Sequence, residues 1–197
     1  MNEQPKRTLV LASTSPFRRA LLERLRVPFE QLSPEVDESP RPGETAEALV
    51  KRLSEAKARA AAARWPDALI IGSDQLAVCE GEILGKPGDH ENARRQLSRL
   101  AGRRVSFLTG LCLYDSACDA VRLELVPYHV QFRRLTDGQI ERYLRAEQPY
   151  NCAGSFKSEG LGISLFESME GEDPTALVGL PLIRLVGWLN EADVPIP

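Results

Sequence analysis

Seven polar residues stand where an alternating strand–helix chain has little structural use for them. Ser13 and Ser15 precede a proline, Arg18 follows it, and Glu35 lies in an acidic run. Lys57 borders an apolar helical stripe, Asp74 follows an apolar run, and Lys86 sits in a Gly-Lys-Pro turn. Hydroxyls, the free N–H groups of a helix start, one arginine and two lysines make a cradle for a triphosphate. Glu35 and Asp74 are hard oxygen ligands of the kind Mg²⁺ takes, because that ion binds through one or two carboxylates and completes its shell with water and substrate phosphates. With such an ion, Asp74 can orient or deprotonate an attacking water.

Plainer uses exist for most of the set. Ser15 can be an ordinary helix cap, Lys57 can snorkel from its helix, Lys86 can be an exposed turn residue and the acidic run can be solvated. Asp74 resists that reading best, since a carboxylate next to a buried apolar run is costly unless paired or metal-bound. A Walker A sequence is absent and the two histidines form no cluster, which sets aside P-loop ATPase chemistry and zinc hydrolysis.

The elements that must position these residues follow from the hydrophobic pattern. Leu9 to Ala12 reads as a buried strand, and Ser15-Pro16 opens a helix over 16–26. Phe29 and Leu32 flank a short extended piece, followed by the loop 33–38 with its three acids and a Pro/Gly linker over 39–44. Thr45 caps a long helix to about Trp65, with Leu49, Val50, Leu53, Ala56 and Ala60 at helical spacing. Ala68 to Ser73 reads as a central strand ending at Asp74-Gln75, with Leu76 to Glu80 continuing extended. A ligand-bearing residue at the carboxyl end of a central strand is what open α/β sheets employ. Asp89 caps a helix to about Ala101, and Val105–Tyr114 with Val121–Phe132 reads as a long strand pair. Thr136-x-x-Gln139 is a capping box opening a helix to Glu147. A small-residue loop over 151–160, a strand over 163–166, a turn at Pro174 and a last helix from Pro181 to Glu191 complete the chain. The expected architecture is α/β: a central twisted mixed sheet flanked by helices, as a single domain over 1–197 or as two lobes around a cleft.

The 197 residues carry 25 Lys and Arg against 28 Asp and Glu, a net charge of −3, which disfavours a general nucleic-acid binder. The four cysteines form no CxxC pair and read as reduced thiols of a cytoplasmic protein. The first seven residues are polar with no signal-peptide character, and no apolar run approaches a membrane span.

Seven stretches together resemble the Maf family of nucleotide pyrophosphatases: residues 11–19 (Leu-Ala-Ser-Thr-Ser-Pro-Phe-Arg-Arg), 34–38 (Pro-Glu-Val-Asp-Glu), 56–58, 71–75 (Ile-Gly-Ser-Asp-Gln), 85–87, 153–160 and 178–181, in that order. The resemblance implies metal-dependent hydrolysis of a nucleoside triphosphate between the α and β phosphates, with Mg²⁺ or Mn²⁺ as the divalent cation. It implies Asp74 as proton acceptor, Ser13, Arg18, Lys57 and Lys86 facing phosphate, and Glu35 facing the metal. A branch acting on dTTP and UTP has Arg, Thr and Gln where this chain has Phe17, Gln75 and Glu159. These three resemble the branch that hydrolyses 7-methyl-GTP, which commonly has Trp at the first position. The chemistry agrees: a cationic N7-methylated base is attracted to an aromatic face, and a carboxylate accepts from the donor edge of guanine. The expected protein clears modified nucleotides in the cytoplasm, takes a small nucleotide as its partner, binds neither nucleic acid nor membrane, and can form a homodimer. The alternatives are a dTTP/UTP or broader pyrophosphatase and a nucleotide-sensing regulator of cell division.

Overall fold

The computed structural model describes residues 7–197; residues 1–6, most of the polar amino-terminal stretch, lie outside the described part. Seven strands form one mixed sheet in the order β2-β1-β3-β5-β6-β7, with β4 paired to β3. The strands are β1 (Thr8–Ala12), β2 (Glu30–Leu32), β3 (Ala68–Cys79), β4 (Glu82–Leu84), β5 (Arg104–Asp115), β6 (Ala120–Phe132) and β7 (Phe166–Glu170). The helices are α1 (Pro16–Glu23), α2 (Ala46–Ala61), α3 (His90–Leu100), α4 (Asp137–Glu147) and α5 (Leu182–Glu191). The chain divides into two compact units, one of residues up to 75, 109–126 and 173 onward, the other of residues 76–108 and 127–172. No described helix is long and apolar enough to cross a membrane.

In the first unit, side-chain alternation along parallel β1 and β3 and along β5 builds two apolar layers. Leu9 and Leu11, Leu69 and Ile71, and Leu111 and Leu113 pack with Leu21 and Leu22 of α1 and Leu182, Leu185 and Leu189 of α5. The intervening residues Val10, Ala12, Ala68, Ile70, Cys112 and Tyr114 pack with Ala58 and Ala61 of α2. Both sheet faces are covered, which is why these strands read as continuous apolar runs. Each fully buried leucine of this kind stabilises the fold by roughly 2 kcal/mol.

The second unit has an aromatic centre. Phe156 stacks edge-to-face on Phe107, Phe132 and Phe166 with ring centroids 4.8–5.7 Å apart. The expected capping box is formed at Thr136 and Gln139.

Three local expectations are corrected. The strand expected at 163–166 is a 3₁₀ turn, Leu161–Leu165, and the strand follows it as β7; Ile163 is exposed while Leu165 is buried, so the apolar run packs by turn geometry. The first helix stops at Glu23, with Arg26 in the left-handed region (φ 55°) turning the chain away. The second stops at Ala61, and looser turns carry the chain to Trp65 before Pro66.

Candidate active site

The site in the first unit begins where β1 ends. Parallel pairing aligns Ala12 with Gly72, so β1 stops while β3 continues through Asp74 to Cys79. Asp74 therefore lies past the end of its neighbour strand, not at the end of its own as the sequence suggested. That placement leaves it polar work to do at the carboxyl edge of β1 while its own backbone stays in the sheet.

Helix α2 brings Lys57 to it. The approach is closer than any side chain on the sheet would allow. A Cβ on Gly72 would stand 2.1 Å from the Ser54 carbonyl oxygen, and one on Gly110 would stand 2.6 Å from that of Val50. Ser54 sits in this contact, its Oγ donating to Val50 O at 2.7 Å and accepting the Asp74 N–H at 2.9 Å. Lys57 Nζ consequently meets Asp74 Oδ1 at 2.6 Å, and both side chains are buried, at 9% and 12% exposure. The snorkelling alternative for Lys57 is thereby excluded.

The same ammonium meets Glu38 Oε1 at 2.7 Å. Glu35 and Glu38 are both exposed, and the acid of that loop that contacts the lysine is Glu38. The end of the loop is held by Arg52 of α2, which donates to the Ser39 carbonyl at 3.0 Å and forks onto Glu44 at 2.6 and 2.8 Å. Nothing in the run Glu35-Val36-Asp37-Glu38 singles out its last member, and Arg52 reads as a polar helix residue. Ser54 is hidden among the apolar positions of the helical stripe.

The turn after β1 is assembled as its residues imply. Ser15 caps α1, accepting the Arg18 N–H at 3.4 Å. Buried Ser13 accepts the Ser15 N–H at 3.2 Å and Arg18 Nη1 at 3.3 Å. Arg18 Nε donates to the Gly179 carbonyl at 2.8 Å, which also accepts from Ser73 Oγ at 2.9 Å. Burial draws the Arg18 guanidinium below its usual pKa, while Asp74 and Glu38 act in the opposite sense. Phe17, on the first turn of α1, is 38% exposed, so its ring is not consumed by the core that Leu21 and Leu22 fill. Gln75 is turned into the protein, its Nε2 bonded to Thr109, Ala176 and Leu177.

Lys86 and Glu159 belong to the second unit, and both are exposed. The Lys86 turn is tied at Gly85, whose carbonyl accepts from Gln96 Nε2 at 3.1 Å, and at Gly88, whose N–H donates to Tyr150 O at 2.9 Å. Gln96 in turn accepts from Ser155 Oγ of the 151–160 loop. Burial raises the pKa of the Cys152 thiol in that loop, with Lys157 and Lys86 opposing and Glu159 adding to the rise. Glu159 accepts a bond from Ser158 Oγ at 3.0 Å.

A cavity of about 720 Å³ lies elsewhere: it opens at the amino-terminal ends of β1 and β3, lined by Leu9, Phe29, Leu69 and Leu113 among others, and includes none of these residues. Among the described residues no group of three or more His, Cys, Asp and Glu converges as an all-protein metal cage.

Fold and site thus define an α/β protein whose carboxyl-edge centre holds a buried lysine between two carboxylates, beside a strand–turn–helix junction of hydroxyls and arginine. The Maf-like protein family matches residues 8–192, and the chain belongs to that family. Three relatives are similar over nearly their whole length. A 7-methyl-GTP pyrophosphatase of Pseudomonas aeruginosa is 59% identical over 96% of this chain and 98% of its own. Proteins of the same name from Colwellia psychrerythraea (54% identical, 96% and 95% covered) and Nitrosospira multiformis (57%, 98% of each) follow. The solved structure of the Staphylococcus aureus Ham1 protein aligns at TM-score 0.47 and 15% identity over 65% of this chain and 73% of its own, a likeness too slight to bear on either fold or function.

Proposed function

We propose that this protein hydrolyses the α–β phosphoanhydride of 7-methyl-GTP, giving 7-methyl-GMP and pyrophosphate, and so clears a modified nucleotide from the cytoplasm. The observation that carries the chemistry is the Lys57 ammonium held between Asp74 and Glu38 next to Ser13 and Arg18. The 7-methyl-GTP name of relatives at 54–59% identity supports the choice of substrate.

In this reading Ser13, Ser15, Arg18, Lys57 and Lys86 hold the phosphates. Asp74 takes a proton from the attacking water as its oxygen bonds to phosphorus, and the electrons of the broken bridging P–O bond leave with pyrophosphate. General-base help of this kind is worth roughly 10² to 10⁴ in rate. Phe17 offers its exposed ring to the cationic base, and Glu159 accepts from the donor edge of guanine. The family match runs through both compact units, in keeping with one functional domain.

The residues fit a divalent cation of the Mg²⁺ or Mn²⁺ type. Two carboxylates, Asp74 and Glu38, already converge on a positive centre, the lysine ammonium. Two hard oxygen donors with the remainder left to substrate phosphate and water is the pattern Mg²⁺ prefers. Bound there, the cation supplies charge neutralisation to the polyphosphate. Glu38, rather than Glu35, is the loop acid for that role.

The test is release of pyrophosphate from 7-methyl-GTP, GTP, dTTP and UTP, each with Mg²⁺ and with chelator. The expected result is fastest turnover of 7-methyl-GTP, abolished by chelation. Equal or faster turnover of dTTP or UTP overturns the substrate, and undiminished turnover in chelator overturns the metal requirement.

A further inference from the structure

We propose that Gln96 and Ser155 are positioning residues that clamp the Gly85-Lys86-Pro87 turn to the 151–160 loop, and so hold the phosphate-side Lys86 and the base-side Glu159 at a fixed separation. The proposal rests on the pyrophosphatase reading above and deepens it.

The turn, the loop and the clamp all belong to the second unit. Gln96 lies on α3 beside the stripe of Ala93, Leu97 and Leu100 that the helix buries. Its Nε2 stands 3.1 Å from the Gly85 carbonyl oxygen, and its Oε1 meets Ser155 Oγ. A carbonyl oxygen only accepts, so the nitrogen end of the amide faces Gly85. The oxygen end therefore faces Ser155, whose hydroxyl donates. One side chain thus uses both its ends, each on a different segment.

Ser155 is fully buried. Its φ of 60° lies in the left-handed region that residues other than glycine seldom adopt. A buried hydroxyl needs a partner, and among the described residues Gln96 is the one it has. The far end of the lysine turn is tied to the same stretch of chain. The Gly88 N–H donates to the carbonyl of Tyr150, the residue before the loop, at 2.9 Å, and the Tyr150 hydroxyl lies 3.0 Å from His90 Nδ1 at the start of α3. Lys86 is therefore held from both sides, through Gly85 to Ser155 and through Gly88 to Tyr150. A nucleotide that meets Lys86 with its phosphates and Glu159 with its base needs both groups in place at once. A preset separation removes the cost of ordering them on binding.

The two halves of the clamp have different consequences. Removing the Ser155 hydroxyl releases the loop but leaves Gln96 on Gly85, so the loss falls on reading of the base. Removing the Gln96 amide releases the turn as well, so the loss falls also on pyrophosphate, which carries no base.

The test uses Ser155→Ala and Gln96→Leu. The readouts are the ratio of kcat/KM for 7-methyl-GTP to that for UTP and the inhibition constant of pyrophosphate, at a temperature where each variant is fully folded. Ser155→Ala should lower the ratio about fivefold and leave the pyrophosphate constant unchanged. Gln96→Leu should lower the ratio by a similar factor and raise the pyrophosphate constant about tenfold. If Gln96→Leu fails to fold, Gln96→Met carries the same readouts. An unchanged ratio in both variants overturns the proposal, since a residue that serves only the fold moves the melting temperature alone. An unchanged pyrophosphate constant in Gln96→Leu overturns it too, as does a Ser155→Ala variant that raises this constant as far as Gln96→Leu. A parent protein that turns over no nucleoside triphosphate instead overturns the pyrophosphatase reading. Titration of parent and variants with pyrophosphate, 7-methyl-GMP and UMP then decides the clamp on binding alone, and identical affinities in all three proteins overturn it.

Discussion

Lys57 and Asp74 are costly to hold apart and useful to hold together. Each charge alone, in a site this enclosed, would carry a desolvation penalty that its partner now offsets. Removing one leaves the other stranded, and the expected effect of Lys57→Met is a stability loss of about 3 kcal/mol. Adding Asp74→Asn to it should restore most of that stability, because both buried charges are then gone. Activity should not return: Asp74→Asn alone, in which Lys57 still pairs with Glu38, is expected to stay folded and to lower kcat by roughly 10² to 10⁴. Urea unfolding and pyrophosphate release on the two single variants and the double variant check both halves. A double variant no more stable than Lys57→Met would mean that the pair is not the source of the penalty. At this scale the sequence was most informative about Asp74, since a carboxylate following Ala68 to Ser73 has few bland explanations. It was least informative within the acidic loop. Glu35 and Glu38 are chemically the same residue, and which of them faces Lys57 depends on the path of the loop, whose end is held by Arg52 of α2 on Ser39 and Glu44 and by Asp37 on the Ser39 N–H.

At the scale of elements, the site depends on how closely α2 lies on the sheet. Gly72 and Gly110 leave the helix backbone room that any Cβ would fill. Gly72→Ala puts a methyl 2.1 Å from the Ser54 carbonyl and 2.8 Å from the Ala58 nitrogen, so the helix must lift or the strand must bend. Such overpacking against backbone is expected to cost about 3 kcal/mol. Because Lys57 rides on that helix, activity should fall further than stability alone accounts for. Denaturant midpoints together with kcat at a temperature where the variant is fully folded separate the two; a variant with normal kcat and stability would show that α2 can withdraw freely. The helices and long strands were legible because their periodicities are strong: two-sided burial makes β1 and β3 apolar throughout, and Thr136-x-x-Gln139 marks α4 at its first turn. The apolar stretch around Ile163 was not legible as a turn, since short apolar runs satisfy strand and buried-turn patterns alike. The carboxyl-edge position of Asp74 was half legible. Its depth in the sheet follows from composition, but β1 stopping at Ala12 while β3 runs on is a matter of register, which one strand's sequence does not encode.

For the molecule as a whole, the division into two units cuts β3, β5 and β6 at interior positions of their sequence, which is why no linker or compositional break announced it. Its net charge of −3 is small, so acid sensitivity is set by particular carboxylates and not by general repulsion. Asp115 is the clearest case. Hydrogen bonds from Arg7 hold its carboxyl down at about 2 from a usual value of 3.8, with burial opposing. The guanidinium forks onto both oxygens, at 2.6 and 2.5 Å, and so ties the residue before β1 to the last residue of β5. Between pH 3.8 and pH 2 the unfolded chain binds a proton at this site and the folded chain does not. Lowering the pH through that window therefore favours unfolding: the contribution is complete above the unfolded value and is lost as the folded value is passed. Asp115→Asn should be less stable than the parent at pH 7 and should show a shallower fall in Tm from pH 4 to pH 2, so that the two curves converge in acid. Curves that stay parallel over that range would place the acid sensitivity on other carboxylates, and a variant as stable as the parent at pH 7 would mean that the tie between β1 and β5 contributes nothing.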